Sequence, residues 1–487
     1  MLVFKGLQPS LVWEYFEEIC KVPHPSKNEG KIINYLMDFA TKHGIEAERN
    51  AIGNVIMRKP ATPGFENRVA VILQSHMDMV CEKNSDTVFD FNNDPIQPFI
   101  DNNWVKAKGT TLGADDGIGI AAQLAVLTDK TIQHGPVECL FTVDEETGLS
   151  GAFALNEGFM SGKILLNLDS EDEGELFIGC AGGTDTAAEF DFEKEEVPEN
   201  HKAIIIKVSG LKGGHSGDDI HKGLGNSNKI LNRFIWENEE DLELRLNTFD
   251  GGNLQNAIAR EAYALVVLPK SKVDKVKNRF NIFSKLIKAE FNVTEPNLKL
   301  ELKETDLPGF VIDENTQHNL LNAIYACPHG VHSWSRKMEN MVETSTNLAA
   351  VKFIDDKKIL VTTSQRSSVE SAKWDIAQMV ESVFVLAGAN VEHSEGYPGW
   401  APNPDSEIVR ITVESYKRLF NKQPVVRAIH AGLECGLFLE KYPYLDMISF
   451  GPTIKGAHSP DERIDIETTR KFWELLIDVL IKIPYQK

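Results

Sequence analysis

Cysteine is scarce in this sequence, and its spacing excludes two common structural roles. The 487 residues contain six cysteines and no Cys-x-x-Cys motif, so neither a zinc knuckle nor a disulfide framework is indicated. Most of them lie among apolar neighbours, and we therefore expect free thiols in a reducing cytoplasm.

Long apolar runs and an excess of basic residues are also absent. No segment approaches the ~18 apolar residues of a membrane span, and Lys5, Glu14, Glu17 and Glu18 occupy the region where a signal peptide would be apolar. We therefore expect no contact with a membrane. The 51 Lys and Arg residues face 72 Asp and Glu residues, which gives a net charge of −21 and argues against a nucleic-acid partner.

Several well-known catalytic motifs are missing. The sequence has no Gly-x-Ser-x-Gly elbow, no Walker A loop, no Gly-x-Gly-x-x-Gly after a predicted strand and no His-Glu-x-x-His helix. These absences disfavour serine hydrolases, P-loop enzymes, dinucleotide-binding enzymes and single-zinc proteases of that type.

Short apolar segments alternate with helical patterns. Strands are predicted at 69–73, 137–143, 164–168 and 447–450, and helices at 28–43 and 117–127. This alternation predicts an α/β fold. Because ligands gather at the carboxyl ends of strands in such sheets, we expect one site there.

Histidines and acids follow these strands. Taken singly, each has an ordinary alternative: a structural histidine, a helix cap, a solvated pair of glutamates or a shared proton. Together they supply two imidazoles and three carboxylates, the ligand set for two divalent ions bridged by one carboxylate. Two such ions, ~3.5–4 Å apart, could share a hydroxide and polarise a carbonyl group, while a remaining glutamate moves the proton.

The motifs and their order resemble those of the co-catalytic zinc exopeptidases. They are His76-Met77-Asp78, the turn GADDG at 113–117, Glu145-Glu146-Thr147-Gly148, Asp169 and His458. The resemblance implies an α/β, zinc-exopeptidase-like catalytic domain with a mixed sheet flanked by helices. It also implies that Asp115 bridges two ions, that Glu145 is the general base and that Asp78 orients the His76 ring, although Asp78 could instead cap a turn. The metal ligands that it implies are His76, Asp115, Glu146, Asp169 and His458.

Many members of that family have lysine at the position of Gly117. The glycine found here makes the motif similar to that of the Xaa-His dipeptidase branch. The implied activity is hydrolysis of Xaa-His, including β-alanyl-His, and of other unblocked dipeptides. The implied cofactors are two divalent ions. Zn²⁺ is the expected metal, and Co²⁺ or Mn²⁺ are possible substitutes. The alternatives are a tripeptidase, an N-acyl amino-acid deacylase, or a peptide-binding protein without catalysis.

The middle of the chain differs in composition from the two ends. An acidic stretch at 190–200 and a linker rich in proline and glycine at 396–404 predict that 187–402 is an α/β domain inserted into a catalytic domain formed by 1–186 and 403–487. The resemblance implies a lid that also forms a homodimer. The segment GGHSG at 213–217 would supply His215 to the oxyanion, and Asn256 and Arg366 would hold the substrate carboxylate. A solvent-facing His215 and a surface role for Arg366 are the alternatives.

Overall fold

In the computed structural model of the protein, residues 3–486 are described. The α-helices are α1 (Ser10–Ile19), α2 (Gly30–His43), α3 (Ala114–Thr128), α4 (Glu145–Gly148), α5 (Ser150–Phe153), α6 (Ser227–Leu242), α7 (Val273–Glu290), α8 (Glu314–Ala326), α9 (Glu370–Leu386), α10 (Glu407–Phe420), α11 (Glu434–Lys441) and α12 (Ile466–Lys482). The strands are β1 (Glu46–Arg49), β2 (Val55–Lys59), β3 (Val71–His76), β4 (Pro98–Asp101), β5 (Trp104–Ala107), β6 (Val137–Thr142), β7 (Ile164–Asn167), β8 (Glu175–Cys180), β9 (Gly182–Asp191), β10 (Lys194–Glu195), β11 (His201–Ser209), β12 (Arg245–Gly251), β13 (Ala262–Pro269), β14 (Lys299–Thr305), β15 (Val311–Ile312), β16 (Gly330–Trp334), β17 (Val342–Phe353), β18 (Lys358–Ser367), β19 (Asn390–His393), β20 (Val425–Ile429), β21 (Asp446–Ser449), β22 (Ile454–Lys455) and β23 (Arg463–Asp465).

The chain divides into two compact units. The first contains the chain up to Cys180, Trp400–Ala428 and the chain from Leu433 onward. The second contains Ala181–Gly399 and the short segment Ile429–Gly432. The sequence-based domain limits, 1–186 with 403–487 and 187–402, remain a prediction. No change of composition marks 429–432, so the sequence gives no sign that this segment belongs with the second unit.

The first unit contains a mixed sheet of eight strands in the order β1-β2-β6-β3-β7-β21-β8-β20. Strands β6, β3, β7 and β21 run parallel to one another, so their carboxyl ends share one edge. Strand β21 comes from late in the chain but lies between β7 and β8. The predicted α/β fold with a mixed sheet is confirmed.

Two helices of this unit illustrate why the sequence folds in this way. Helix α2 buries its apolar face and ends at Gly44, whose φ of 65° is the left-handed conformation that favours glycine. Helix α3 is apolar all round because it packs between α1 and β3. Both helices were expected from the spacing of their apolar residues.

Strand β3 differs from its prediction. The apolar pattern predicts a strand over 69–73, whereas the structure has Val71–His76, which includes three polar residues. All six side chains are buried. The polar ones can be buried because they are paired; for example, the Gln74 amide donates to Glu434 and Thr142.

The second unit contains a sheet with antiparallel neighbours in the order β14-β11-β13-β12-β17-β18-β9-β19, and β16 pairs with β17. Its apolar core is built from these strands and from α6, α7, α8 and α9, with Phe234, Phe249 and Phe384 among the fully buried side chains. Among residues 3–486, no helix combines the length and apolar character that crossing a membrane requires.

Candidate metal centre

The carboxyl ends of the parallel strands bring five predicted ligands together in the first unit. His76 is the last residue of β3, Asp169 follows β7, and Glu146 follows β6 within α4. Asp115 lies in the first turn of α3, and His458 lies in the loop between β22 and β23. All five sit where a parallel sheet gathers its functional side chains.

The first possible ion site contains His76, Asp115 and Asp169. The His76 Nε2 atom lies 3.1 Å from Asp115 Oδ1 and 3.4 Å from Asp169 Oδ1. An imidazole and two carboxylates at this spacing can converge on one divalent ion.

The second possible ion site contains Asp115, Glu146 and His458. The His458 Nε2 atom lies 3.2 Å from Asp115 Oδ2 and 3.1 Å from Glu146 Oε2. Asp115 therefore directs one carboxylate oxygen to each histidine. The Glu146 Oε1 atom is buried and has no hydrogen-bond partner among the described residues. The unpartnered oxygen and the mixed nitrogen and oxygen donors fit two divalent ions that share Asp115.

Burial, together with the crowding of acids, shifts several pKa values. Burial raises the pKa of Asp169 to about 7, against the effect of His76. Burial also raises the pKa of Glu145 well above its usual range, and the charges of Asp169, Glu434 and Glu146 add to this rise. Cations at the site would compensate this negative charge.

The family model described as Peptidase family M20/M25/M40 matches residues 72–482. The chain belongs to this family. It is 45% identical over 478 residues to the cytosol non-specific dipeptidase of Escherichia coli, with 98% of each chain covered. It is 46% identical to the aminoacylhistidine dipeptidase of Vibrio alginolyticus, whose crystal structure superposes with a TM-score of 0.93 over 99% of both chains. A tripeptidase from Staphylococcus aureus shares the fold, with 16% identity and a TM-score of 0.57 over 98% of this chain and 99% of the other. The predicted resemblance and the zinc-exopeptidase-like fold are confirmed.

In this M20-family chain, Asp78 supports the segment that carries Glu145 and Glu146. Its carboxylate accepts the Glu145 N–H at 2.9 Å, the Glu146 N–H at 3.2 Å and the Ser26 hydroxyl at 2.8 Å. Burial opposes ionisation of Asp78, but the hydrogen bond and charge of His76 outweigh it and lower the pKa to about 2. The His76 Nδ1 atom lies 2.9 Å from the Asp78 carbonyl oxygen and 3.5 Å from its carboxylate. Both backbone and side chain of Asp78 therefore face the ring.

Glu462 is a buried acid near the site that the sequence analysis missed. Its carboxylate accepts the N–H groups of Leu112, Gly113, Ala114 and Asp115 at 2.6, 3.0, 2.7 and 3.3 Å. These bonds hold the turn that carries the shared aspartate. The only sequence signal is the position of Glu462 four residues after His458, and that spacing alone predicts no contact with residue 112.

Glu434 is a second buried acid that the sequence analysis missed. It is 1% exposed and opens α11. Burial raises its pKa to about 8, while the hydrogen bond from Thr142 opposes the rise. Nothing in the local pattern of α11 distinguishes it from an ordinary first-turn glutamate.

The remaining predicted residues lie in the second unit. The His215 Nδ1 atom accepts the N–H groups of Gly217 at 3.3 Å and Asp218 at 3.1 Å, so the neutral ring carries its proton on Nε2. Burial and the charge of Arg366 lower the pKa of His215, which favours this neutral form. His215 and Asn256 line one cavity of about 930 Å³ in this unit.

Arg366 is buried, contrary to the surface alternative. It is 7% exposed, and its guanidinium donates to the Ser216 hydroxyl at 3.4 Å and the Tyr397 hydroxyl at 2.9 Å. Across residues 3–486, no carboxylate forms an ion pair with it. Asp185 interacts with Arg366 through charge without such a contact, and a buried guanidinium that forms no ion pair keeps N–H groups that can bind an anion.

Proposed function

We propose that this M20 peptidase is a metal-dependent dipeptidase that hydrolyses Xaa-His, including β-alanyl-His, and other unblocked dipeptides. The observation that carries the proposal is the position of Asp115 between two histidines, one oxygen toward each. Identities of 45% and 46% to two dipeptidases over nearly the whole chain support the same activity.

Two divalent ions, with Zn²⁺ as the proposed metal, would be held by the five predicted ligands. His76 and Asp169 would complete one site, Glu146 and His458 would complete the other, and Asp115 would contribute to both. When bound, the ions supply Lewis acidity, which polarises a peptide carbonyl and makes water a stronger nucleophile at neutral pH. Borderline-soft ions suit this mixture of imidazole and carboxylate donors.

Glu145 is the proposed general base. Its carboxylate takes a proton from the attacking water and passes it to the amine of the leaving residue. Burial raises the pKa of Glu145 above its ordinary value, which makes its carboxylate a stronger base. Asp78 fixes the Glu145 backbone through the N–H bond and so orients the carboxylate.

The second unit supplies the proposed substrate contacts. His215 donates from Nε2 to the carbonyl oxygen that becomes negatively charged, and Asn256 and Arg366 bind the terminal carboxylate. The neutral tautomer of His215 and the buried guanidinium of Arg366, which forms no contact ion pair among residues 3–486, support these roles. We further propose a homodimer formed through residues 187–402.

We also propose a cytoplasmic location. The Escherichia coli relative is named for the cytosol, and all six cysteines of this chain are free thiols in the structure.

The test is a substrate panel on protein that has been stripped of metal and then reloaded with Zn²⁺. We expect cleavage of β-alanyl-His and α-linked dipeptides, and little cleavage of a tripeptide or an N-acetyl amino acid. Faster cleavage of the tripeptide or the N-acetyl compound would contradict dipeptidase specificity. Binding of a dipeptide without cleavage by the reloaded protein would contradict catalysis altogether.

A further inference from the structure

A row of buried polar side chains crosses the first unit's sheet directly below the predicted ligands. Gln74, Asn167 and Ser449 are register neighbours in β3, β7 and β21. The Asn167 amide donates to Gln74 Oε1 at 2.5 Å, and the Ser449 hydroxyl donates to Asn167 Oδ1 at 2.5 Å. All three side chains are completely buried. We call these three residues the polar row.

Glu434 closes the polar row at its β6 side. Its Oε2 atom accepts the Gln74 amide at 2.6 Å and the Thr142 hydroxyl at 2.8 Å. Its Oε1 atom is buried without a hydrogen-bond partner, and among the described residues Glu434 forms no ion pair. Burying a carboxyl group in this way is unfavourable for folding, so a contribution to fold stability alone does not explain it.

The polar row is coupled to the metal centre by the strands themselves. Gln74 precedes His76 by two positions, and alternate residues of a strand project from the same face. Thr142 is the last residue of β6, directly before the segment that carries Glu145 and Glu146. The orientation of Gln74 and Thr142 therefore constrains the backbone from which His76 and the two glutamates project.

We propose that Glu434 is a positioning residue that fastens the ends of β3 and β6 to each other and thereby sets the spacing of His76 from Glu145 and Glu146. One side-chain nitrogen or oxygen atom from each of these three residues lies within 4.8 Å of the other two. Glu434 acts through Gln74 and Thr142. The proposal rests on the metal-binding role assigned to this site under the proposed function.

Removal of the acceptor should loosen the centre. In Glu434→Ala, the Gln74 amide and the Thr142 hydroxyl lose a buried partner and must turn or recruit water. Removal of a direct hydrogen-bond partner of a metal ligand typically changes metal affinity or activity by ~10–100-fold. Because Glu434 acts one step further away, through Gln74 and Thr142, we expect Zn²⁺ binding, measured by competition with a chelator, to weaken by up to about 10-fold, and kcat for a dipeptide to fall with KM nearly unchanged.

The conservative variant separates hydrogen bonding from charge. The amide oxygen of Glu434→Gln can accept both bonds, so this variant should bind Zn²⁺ much more like the wild type than Glu434→Ala does. Thr142→Val removes, at nearly constant volume, the hydroxyl that donates to Glu434 and accepts from Gln74; because the bond between Gln74 and Glu434 remains, it should weaken Zn²⁺ binding less than Glu434→Ala. It also provides a folded variant if Glu434→Ala does not fold.

Glu138 offers a matched control. It is a buried glutamate of β6 at the opposite end of the strand, where it accepts the N–H groups of Ser161 at 2.8 Å and Gly162 at 3.0 Å. Glu138→Ala should lower the unfolding temperature without weakening Zn²⁺ binding, because it disturbs the end of β6 away from the ligands.

The proposal is overturned if Thr142→Val and folded Glu434→Ala bind Zn²⁺ as tightly as the wild type. It is also overturned if Glu138→Ala weakens Zn²⁺ binding as much as Glu434→Ala does, or if Glu434→Gln is as impaired as Glu434→Ala. Zn²⁺ binding is measured without substrate. A wild-type protein that cleaves no dipeptide, but whose variants show the expected order of Zn²⁺ affinities, would refute the proposed function and support the positioning role.

Discussion

Glu462 offers the most direct test of how the shared aspartate is held. Its replacement by alanine leaves the buried N–H groups of Leu112, Gly113 and Ala114 without their acceptor. At ~1–3 kcal/mol for each unsatisfied group, the loss is about 3–9 kcal/mol, an upper range because water can enter the space. We expect the turn that carries Asp115 to move as its N–H groups find other partners, which reduces part of this loss.

Glu462→Gln is the smaller perturbation. The Oε2 atom accepts the Leu112 and Gly113 N–H groups, and Oε1 accepts those of Ala114 and Asp115. An amide keeps one oxygen, so two of the four bonds are lost and an NH₂ group faces two N–H donors. We expect Zn²⁺ binding to weaken by ~10–100-fold in this variant and further in Glu462→Ala.

The assay is competition between the metal-free protein and a chelator, combined with urea unfolding. Glu295→Gln is the matched control, because Glu295 is a buried glutamate of the second unit that accepts the N–H groups of Lys212 at 2.8 Å and Gly225 at 3.0 Å. It should lower stability and leave Zn²⁺ binding unchanged. If Glu462→Gln loses stability but binds both ions as tightly as the wild type, Glu462 does not position Asp115.

The other predictions concern the ions and the two groups that act on the substrate. Elemental analysis of active protein should find two tightly bound ions per chain, and a single ion with no activation by a second would argue against a shared Asp115. In the metal-free protein, hydrogen bonds to Asp115 and Glu146 raise the pKa of His458 to about 11, so Zn²⁺ must displace a proton from this ring when it binds. The affinity for Zn²⁺ should therefore increase as the pH rises from 6 to 9. Calorimetry in buffers of different ionisation enthalpy measures the proton release, and a pH-independent affinity would contradict this prediction. Glu145→Gln should retain both ions and lose ~10²–10⁴-fold in kcat, whereas Glu146→Gln should bind metal more weakly; near-normal turnover by Glu145→Gln would refute its role as base. His215→Ala should lower kcat by ~10²–10³-fold with both ions retained, and full activity of this variant would contradict the oxyanion role. If a homodimer places His215 of one subunit in the active site of the other, a mixture of His215→Ala and Glu145→Gln should recover some activity after subunit exchange.

The sequence predicts the part of the centre that depends on strand ends. His76, Glu146 and Asp169 each follow an apolar run, and the shared edge of parallel strands is enough to bring such residues together. The fold class and the order of the motifs are therefore enough to predict that these three side chains lie close together.

Glu462 and Glu434 could not be predicted in this way. Glu462 binds backbone N–H groups, which every residue possesses, and its nearest partner in sequence is 347 positions away. Glu434 binds Gln74 and Thr142 across separations of 360 and 292 positions. Such contacts are determined by tertiary packing, and a single sequence carries no periodic signal for them. The same packing explains why β3 continues through the polar residues Gln74 and Ser75, where the apolar pattern predicts its end.

The place of β21 in the sheet has a consequence for biosynthesis. Strand β21 lies between β7 and β8, yet some 280 residues separate it from β7. At ~5–20 residues per second, translation needs tens of seconds to supply it. During that interval β7 and β8 lack the neighbour between them, and unpaired strand edges favour aggregation. His458 is made later still. We therefore expect nascent chains to need protection of these strand edges against aggregation, and metal uptake at the complete centre to follow the synthesis of His458.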